Sequence, residues 1–481
     1  MSTIQKIAKN TTLLVITNMV SLAMGFIINL LIAWDFSKGD YGIVNWAMNL
    51  ATMFTLVTDL GLSMFLAIQL PRYPGQLKAY LDNALSIKLI VSMITFAALV
   101  VSAVISHNTP LEFSILLIIS IYSLSLAVAQ VLQSVFQAFQ AMEHMAVCQV
   151  LNGVTLAAGT VLVVTYNMGV IAFAAVYAIA GLAILAYTFI ILSLFYTKPR
   201  PRFDLSLWRQ ILIGGLPLSV AAVLSFFYFK IDIQLIKMFL GDTGVAEYTT
   251  AFKLVEAIIV IPALYCTAIF PLISTYFHEG NPNLDVLFRK SVKYLYMMGA
   301  PIAVGTIMLA DKFILTIYLG KYASPTIEVL QLLGLGALLI YVNYVPNNFL
   351  SATNMQIANV KISAVCIVVN VVLNLLMIPA YGVIGSALAM VLTQALTVVF
   401  TYYLIRGAGH RYPGFRDAGK VTACALGMGA VVYLLRDYNL ILVVVAGAAV
   451  YGALVLVTRV LSAEDFELLS NVFKKKSTVT P

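Results

Sequence analysis

Val170-Ile-Ala-Phe-Ala-Ala-Val-Tyr-Ala-Ile-Ala-Gly-Leu-Ala-Ile-Leu-Ala-Tyr-Thr-Phe-Ile-Ile-Leu-Ser-Leu-Phe-Tyr196 runs for 27 residues without a charge and stops at Lys198-Pro-Arg-Pro-Arg202. A helix rises about 1.5 Å per residue and the hydrocarbon core of a bilayer is about 30 Å thick, so about 20 apolar residues cross it. This stretch therefore reads as a membrane span with a basic stop. Thirteen others resemble it, at about 11–33, 43–69, 82–105, 113–138, 146–166, 210–238, 249–275, 291–309, 326–350, 359–378, 383–405, 419–435 and 440–460. The fold expected is all-α and polytopic, with about fourteen transmembrane helices.

Composition agrees. Of 481 residues, 62% are hydrophobic and 10% charged, with a mean hydropathy of +0.98. A soluble domain carries about 25% charged residues, so this chain lacks the charge to cover a water-facing surface, and disorder is excluded for the same reason. Lys6 and Lys9 precede the first span and no small-residue cleavage site follows it, which reads as a retained helix. With the N-terminus in the cytoplasm, the even-numbered connections and both tails hold 18 of the 28 basic residues, and the outer connections hold Lys38, Lys312, Lys321 and Arg436. That bias predicts both termini in the cytoplasm of a cell-membrane protein. It also assigns the net charge of +8 to topology and anionic headgroups rather than to nucleic acid.

Cys148, Cys266, Cys366 and Cys424 lie in separate spans without a CxxC pair, and His107, His144, His278 and His410 fall in connections. This predicts no metal site and no disulfide framework. No GxxxxGK[ST] motif is present, so the chain is not expected to consume ATP.

Shifting the chain by 213 residues lays Phe136–Ala174 on Phe349–Ala387 without a gap, with eight identities in 39 positions, among them Phe136/Phe349 and Gly169-Val-Ile171/Gly382-Val-Ile384. A second echo pairs Asp40-Tyr41 with Glu247-Tyr248, an acid before a tyrosine at a span start. The unit is six spans. This predicts lobes over 1–200 and 201–408, with 409–481 holding two appended spans and a basic tail.

Polar side chains in lipid are costly, so polar residues at helical spacing mark either a wet lumen or interhelical hydrogen bonds. Gln130, Gln133, Gln137 and Gln140 form a stripe on span 4, Asn45, Asn49, Thr52, Asp59 and Ser63 another on span 2, and Asn359, Ser363, Asn370 and Asn374 a third on span 11. Amides both donate and accept, which suits a glycan. Lys230, Gln234 and Lys237 share one face of span 7, Asp232 lies off it, and Lys253 and Glu256 form an i,i+3 pair. Lys88, Lys253 and Lys361 are candidates to attract a phosphate or pyrophosphate headgroup, and Asp59, Asp232 and Glu256 to carry Na+ or H+ coupling. A lumenal ion-pair network is the alternative for Asp232 and for Lys253–Glu256. Snorkelling to the interface is the alternative for Lys88 and Lys361, and an outer anchor for Lys237.

Several short motifs recur in order along the chain: Thr58-Asp-Leu-Gly-Leu62, Gly214-Gly-Leu-Pro-Leu218, Phe239-Leu-Gly-Asp-Thr-Gly244, Tyr248-Thr-Thr-Ala-Phe-Lys-Leu254, Ile317-Tyr-Leu-Gly-Lys-Tyr322 and Ile378-Pro-Ala-Tyr-Gly-Val-Ile-Gly-Ser-Ala387. With these the chain resembles the polysaccharide and oligosaccharide flippases of the multidrug/oligosaccharidyl-lipid/polysaccharide exporter superfamily. The resemblance implies two six-helix lobes in a V, alternating access, and passage of a polyprenyl-(pyro)phosphate-linked oligosaccharide to the outer leaflet. It further implies membrane lipid and glycan-assembly enzymes as partners, a monomer, no cofactor and no catalysis. Pro217, Pro262, Pro271 and the glycine pairs are candidates for bends. The rivals are a multidrug exporter or lipid II flippase of the same superfamily, and a membrane-embedded glycan polymerase or ligase. The last predicts a large outer loop with paired acids, yet the outer connections here hold only about 3–16 residues.

Overall fold

The computed structural model describes residues 3–105, 109–412 and 414–460, and every α or β element among them is a helix. The helices are α1 (Thr3–Asp35), α2 (Lys38–Val57), α3 (Leu62–Gln69), α4 (Leu77–Ile105), α5 (Pro110–Ala138), α6 (Met142–Thr165), α7 (Gly169–Phe195) and α8 (Leu205–His278). They continue with α9 (Asn283–Met308), α10 (Ala310–Ile317), α11 (Thr326–Ala352), α12 (Gln356–Tyr381), α13 (Val383–Gly407), α14 (Phe415–Leu434) and α15 (Leu440–Val457). Lys474, Lys475, Lys476 and His107 lie outside the described residues. His144 and His278 fall on the first turn of α6 and the last of α8 rather than in connections.

All fourteen apolar stretches fall on helices. Ten helices are long and apolar enough to cross a membrane, and twelve if α2 with α3 (bent by 47°) and α9 with α10 (bent by 70°) each make one span. The lower number has two sources. The seventh and eighth stretches share α8, and α14 opens with Arg416, Asp417 and Lys420. The bends also differ from expectation. Inside α8 the non-helical residue is Gly241, at φ 66° and ψ −160°, and the backbone stays helical through Pro217, Pro262 and Pro271.

The chain packs as two compact units, Met1–Thr250 with Asn374–Val383, and Ala251–Leu373 with Ile384–Pro481. In the first unit α7 shows how sequence sets packing: Phe173, Ala180, Gly181, Ile184, Thr188 and Leu192 turn inward at helical spacing. Ile179, Leu182, Phe189, Ile190 and Leu194 stay exposed, the outer face a lipid-contacting helix needs. At Gly181 an added Cβ would lie 2.9 Å from the Tyr122 carbonyl oxygen, so α5 and α7 approach backbone to backbone.

The repeat persists in three dimensions. Helices α5, α6 and α7 and helices α11, α12 and α13 begin and end within a few residues of a 213-residue shift. The matched glycines Gly169 and Gly382 both take left-handed backbone, at φ 79° and 61°. Phe136 and Phe349 are each fully buried in the core of their own unit, and each ring meets a histidine, His144 at 5.0 Å and His410 at 4.9 Å.

Glycine governs the closest approaches of the first unit. Thr58-Asp-Leu-Gly-Leu62 is the break between α2 and α3, with Leu60 and Gly61 both left-handed. A Cβ at Gly61 would sit 1.9 Å from the Gly215 carbonyl oxygen, and one at Gly42 equally close to that of Asp242. Two sequence motifs thus touch through backbone alone. The linker before α8 is tied down by α4: Asp82, fully buried, accepts from the Arg200 N–H at 2.8 Å, and Asn83 accepts from the Asp204 N–H at 2.8 Å and Trp208 Nε1 at 3.1 Å. Donation from the Ser206 hydroxyl, then from the Leu207 and Ser206 amides, holds the Asp204 carboxyl below the usual carboxylate range.

Gly61→Ala is expected to lower unfolding stability in detergent by at least about 1–2 kcal/mol, the cost of left-handed backbone alone, before the clash with Gly215 is added. Gly407→Ala, where a Cβ meets nothing within 4 Å, should stay within about 0.5 kcal/mol of the unaltered protein. Thermal melts of both variants check this.

Candidate functional site

Among the described residues of the first unit, four polar sets involve the candidate residues. The most deeply buried centres on Asp232 of α8, which is 2% exposed. Its Oδ1 accepts from Asn374 Nδ2 at 2.9 Å, and its Oδ2 from the Tyr248 hydroxyl at 3.1 Å. Tyr41 makes the corresponding bond in the other half, donating at 2.7 Å to Asn29 of α1. The echo of Asp40-Tyr41 with Glu247-Tyr248 is therefore an echo of geometry, with an amide in one copy and an acid in the other.

The opposite face of α8 meets α2. Trp46 Nε1 donates to Gln234 Oε1 at 2.9 Å, and Gln234 Nε2 donates to Asn49 Oδ1 at 2.9 Å. One turn on, the Lys237 ammonium pairs with Glu112 at the start of α5 and, at 2.5 Å, with Asp242. It also lies 5.0 Å from the Trp46 ring centroid, within cation–π reach. Lys38 and Glu247 add a looser pair at 3.5 Å. Lys237 is thus held by two carboxylates and a ring, and does not reach out as an anchor.

The fourth set sits at the α2/α3 break. Lys88 is fully buried, with Nζ 3.6 Å from Asp59 Oδ1, longer than a good hydrogen bond, while Ser63 donates to that same oxygen at 2.7 Å. Lys88 does not snorkel: twelve residues into α4, it is enclosed with its counterion. In the second unit Lys253 donates to Glu256 at 2.9 Å, with both side chains about a third exposed.

The amide stripes divide. Asn49 is buried, and Asn45 donates back to the Tyr41 carbonyl at 2.8 Å. Gln133 leans towards Thr188 of α7 at 3.4 Å, Gln130 and Gln137 are exposed, and Gln140 lies beyond the end of α5 in left-handed backbone. Asn370 is buried one turn before Asn374 on α12, and Lys361 near the start of that helix is exposed. The structure therefore gathers Asp232 with Asn374, Asn49 with Gln234, Asp59 with Lys88, and Lys253 with Glu256. Three partners went unforeseen: Glu112, Asp242 and Trp46. Glu112 is legible only as the end of a Thr109-x-x-Glu112 capping box, whose Thr109 Oγ1 accepts from the Glu112 amide at 3.3 Å. Nothing local announces a lysine 125 residues away.

A family profile described as "Polysaccharide biosynthesis protein" matches residues 7–277, more than half of the chain. The chain belongs to this family. A second profile, MatE, matches residues 217–376. The chain is 23% identical over 434 residues to the "Probable low-salt glycan biosynthesis flippase Agl15" of Haloferax volcanii, covering 89% of each. It is 20% identical over 420 residues to the "Capsular polysaccharide biosynthesis protein CapF" of Staphylococcus aureus, covering 83% of this chain and 99% of the other.

Among solved structures it resembles the lipid II flippase MurJ in an inward closed conformation, with a TM-score of 0.77, 17% identity, and coverage of 92% of this chain and 98% of that one. It also resembles an inward-facing multidrug-resistance MATE family transporter, with a TM-score of 0.68, 13% identity and coverage of 83% and 98%. At such identities these speak for the fold. The resemblance drawn from the motifs is borne out, as is a multi-pass, all-helical membrane protein.

For this polysaccharide biosynthesis family member, the Lys88–Asp59 pair offers a direct energetic test. Removing one partner of a buried pair strands a charge at about 3–5 kcal/mol, whereas replacing both by apolar residues is often nearly neutral. Lys88→Met and Asp59→Leu are each expected to destabilise strongly, and the double variant to recover most of the loss. Additive losses in a double-mutant cycle of melting midpoints would show that the pair is not coupled.

Proposed function

We propose that this protein is a flippase that carries a polyprenyl-(pyro)phosphate-linked oligosaccharide across the cell membrane by alternating access, for assembly of a surface polysaccharide or glycan. The observation that carries this reading is the match to a protein named a glycan biosynthesis flippase over 89% of the chain, in a helical fold with its own internal polar sets. The lipid tail stays in the bilayer, and only the polar headgroup needs a wet path. Lobes over 1–200 and 201–408, with 409–481 appended, rock about that path, and both termini face the cytoplasm. The protein acts as a monomer and as a transporter rather than an enzyme, and hands its cargo to glycan-assembly enzymes.

Within this reading Lys253, a third exposed and matched by Glu256, and the exposed Lys361 attract the (pyro)phosphate. Asn45, Asn49, Gln130, Gln133, Gln137, Asn370 and Asn374 contact sugar hydroxyls or hold the helices that do. Lys88, first read as a headgroup ligand, is better suited to balancing Asp59, because a fully enclosed ammonium cannot meet a headgroup without leaving its counterion. Asp232, with donors from Tyr248 and Asn374, is the strongest candidate for Na+ or H+ coupling, ahead of Asp59 and Glu256.

The MatE match over residues 217–376 favours a second reading, ion-coupled export of small molecules. Deleting the gene separates the two. Lipid-linked glycan should accumulate on the cytoplasmic face; unchanged glycan with altered drug tolerance would overturn the flippase reading. In vesicles holding the purified protein and a fluorescent lipid-linked oligosaccharide, Asp232→Asn should slow gradient-driven transport about tenfold, a typical coupling magnitude. Full activity in that variant removes Asp232 from the coupling role.

A further inference from the structure

The second unit holds a cavity of about 1020 Å³ to which nothing above assigns a ligand. It lies among α9, α11, the end of α13, residues 409–412 and 414, and the start of α14. Its wall is apolar, with Val292, Val398, Val399 and Val421 facing the space. Its rim is cationic and aromatic. Arg406 donates to the Tyr402 hydroxyl at 2.7 Å and lies 5.9 Å from that ring, which fixes the guanidinium plane. Arg411 is exposed on the connection. Neither arginine has a carboxylate partner among the described residues.

The local charge is not balanced from inside. His410 is taken by Asp285 at 2.5 Å, and Asp417 is the lone carboxylate among the lining residues, against Arg406 and Arg411. The rim is open at Gly409 and Gly414, where an added Cβ would meet nothing within 4 Å. Tyr403 and Tyr412 line the same rim, the side chain that concentrates where hydrocarbon meets headgroups. An apolar slot between membrane helices, capped by guanidinium groups at their ends, matches a lipid whose chain is apolar and whose headgroup carries a phosphate. Arginine suits that headgroup because its planar fork meets two phosphate oxygens at once.

We propose that this cavity binds an anionic two-chain membrane lipid, with its phosphodiester on Arg406 and Arg411 and one chain against the valine wall. The site belongs to the second unit alone and does not depend on the glycan reading, so either can fail without the other.

The test is native mass spectrometry of the purified full-length chain with phosphatidylglycerol or phosphatidylcholine added. Phosphatidylglycerol should be retained and phosphatidylcholine lost. The double variant Arg406→Gln with Arg411→Gln should bind phosphatidylglycerol about twenty-five-fold more weakly, the product of roughly fivefold for each arginine near a headgroup. Val398→Trp, which fills the slot and spares both arginines, should weaken it as well. Equal retention of the two lipids, or unchanged binding in the double variant, overturns the proposal. So does equal competition by chain-free glycerophosphoglycerol, which would mark a site for a soluble anion. Should the variants fail to fold, the unaltered protein still decides: binding that does not fall between about 50 mM and 500 mM salt excludes a charge-led headgroup site.

Discussion

Hydrocarbon offers no hydrogen bonds, so every polar side chain placed in it must find its partner within the protein. That constraint organises the first unit. Asp232 draws Tyr248 and Asn374 to it, Lys237 draws Glu112 and Asp242, and Lys88 draws Asp59. Most of these partners lie on a different helix, or beyond the Gly241 break. Each pair therefore also specifies which helices meet and at what height, something an apolar interface between similar helices specifies poorly. Removing one partner costs more than the pair is worth, so the charges act as registration marks as well as sources of stability.

Close backbone approach supplies the complementary half of the packing. Lipid chains are as apolar as leucine, so helices gain little by burying leucine against one another and gain more by contact along small residues. Gly42, Gly61, Gly181 and Gly215 provide that contact, at positions where a single Cβ would strike a carbonyl. Two of them sit in the motifs by which the family resemblance was recognised. At these two motifs the backbones themselves touch.

The membrane class, the extent of the apolar helices and the six-span echo were all legible in the sequence, because long apolar runs and helix-starting glycines are local signals. Phe136 and Phe349 even take matching places in their cores. The site was legible only in part. Asp232, Asn49, Asn374 and the Lys253–Glu256 pair stood out as polar residues in apolar runs. Their partners did not, since Glu112 reads as a cap, Trp46 as apolar filler and Asp242 as a turn residue. Helical spacing also overstated the glutamine stripe: Gln140 stands on the face that α5 would present if it continued, but the helix has already ended. The bend in α8 was expected at prolines or paired glycines, yet a proline in a long apolar helix can be accommodated by its neighbours, and the turn fell at the single glycine in Leu240-Gly-Asp242.

The two tyrosine bonds carry one further consequence. Tyr41 reaches Asn29 and Tyr248 reaches Asp232, by nearly the same device in the two halves of the chain. Asparagine and aspartate have almost the same shape, so the two bonds are alike in form while one acceptor is an amide and the other a carboxyl group. A transmembrane potential exerts a force on charge and none on an amide, about 2.3 kcal/mol for a full crossing per 100 mV. Of these two acceptors only the Asp232 carboxyl can carry a charge on which voltage does work; the Asn29 amide cannot.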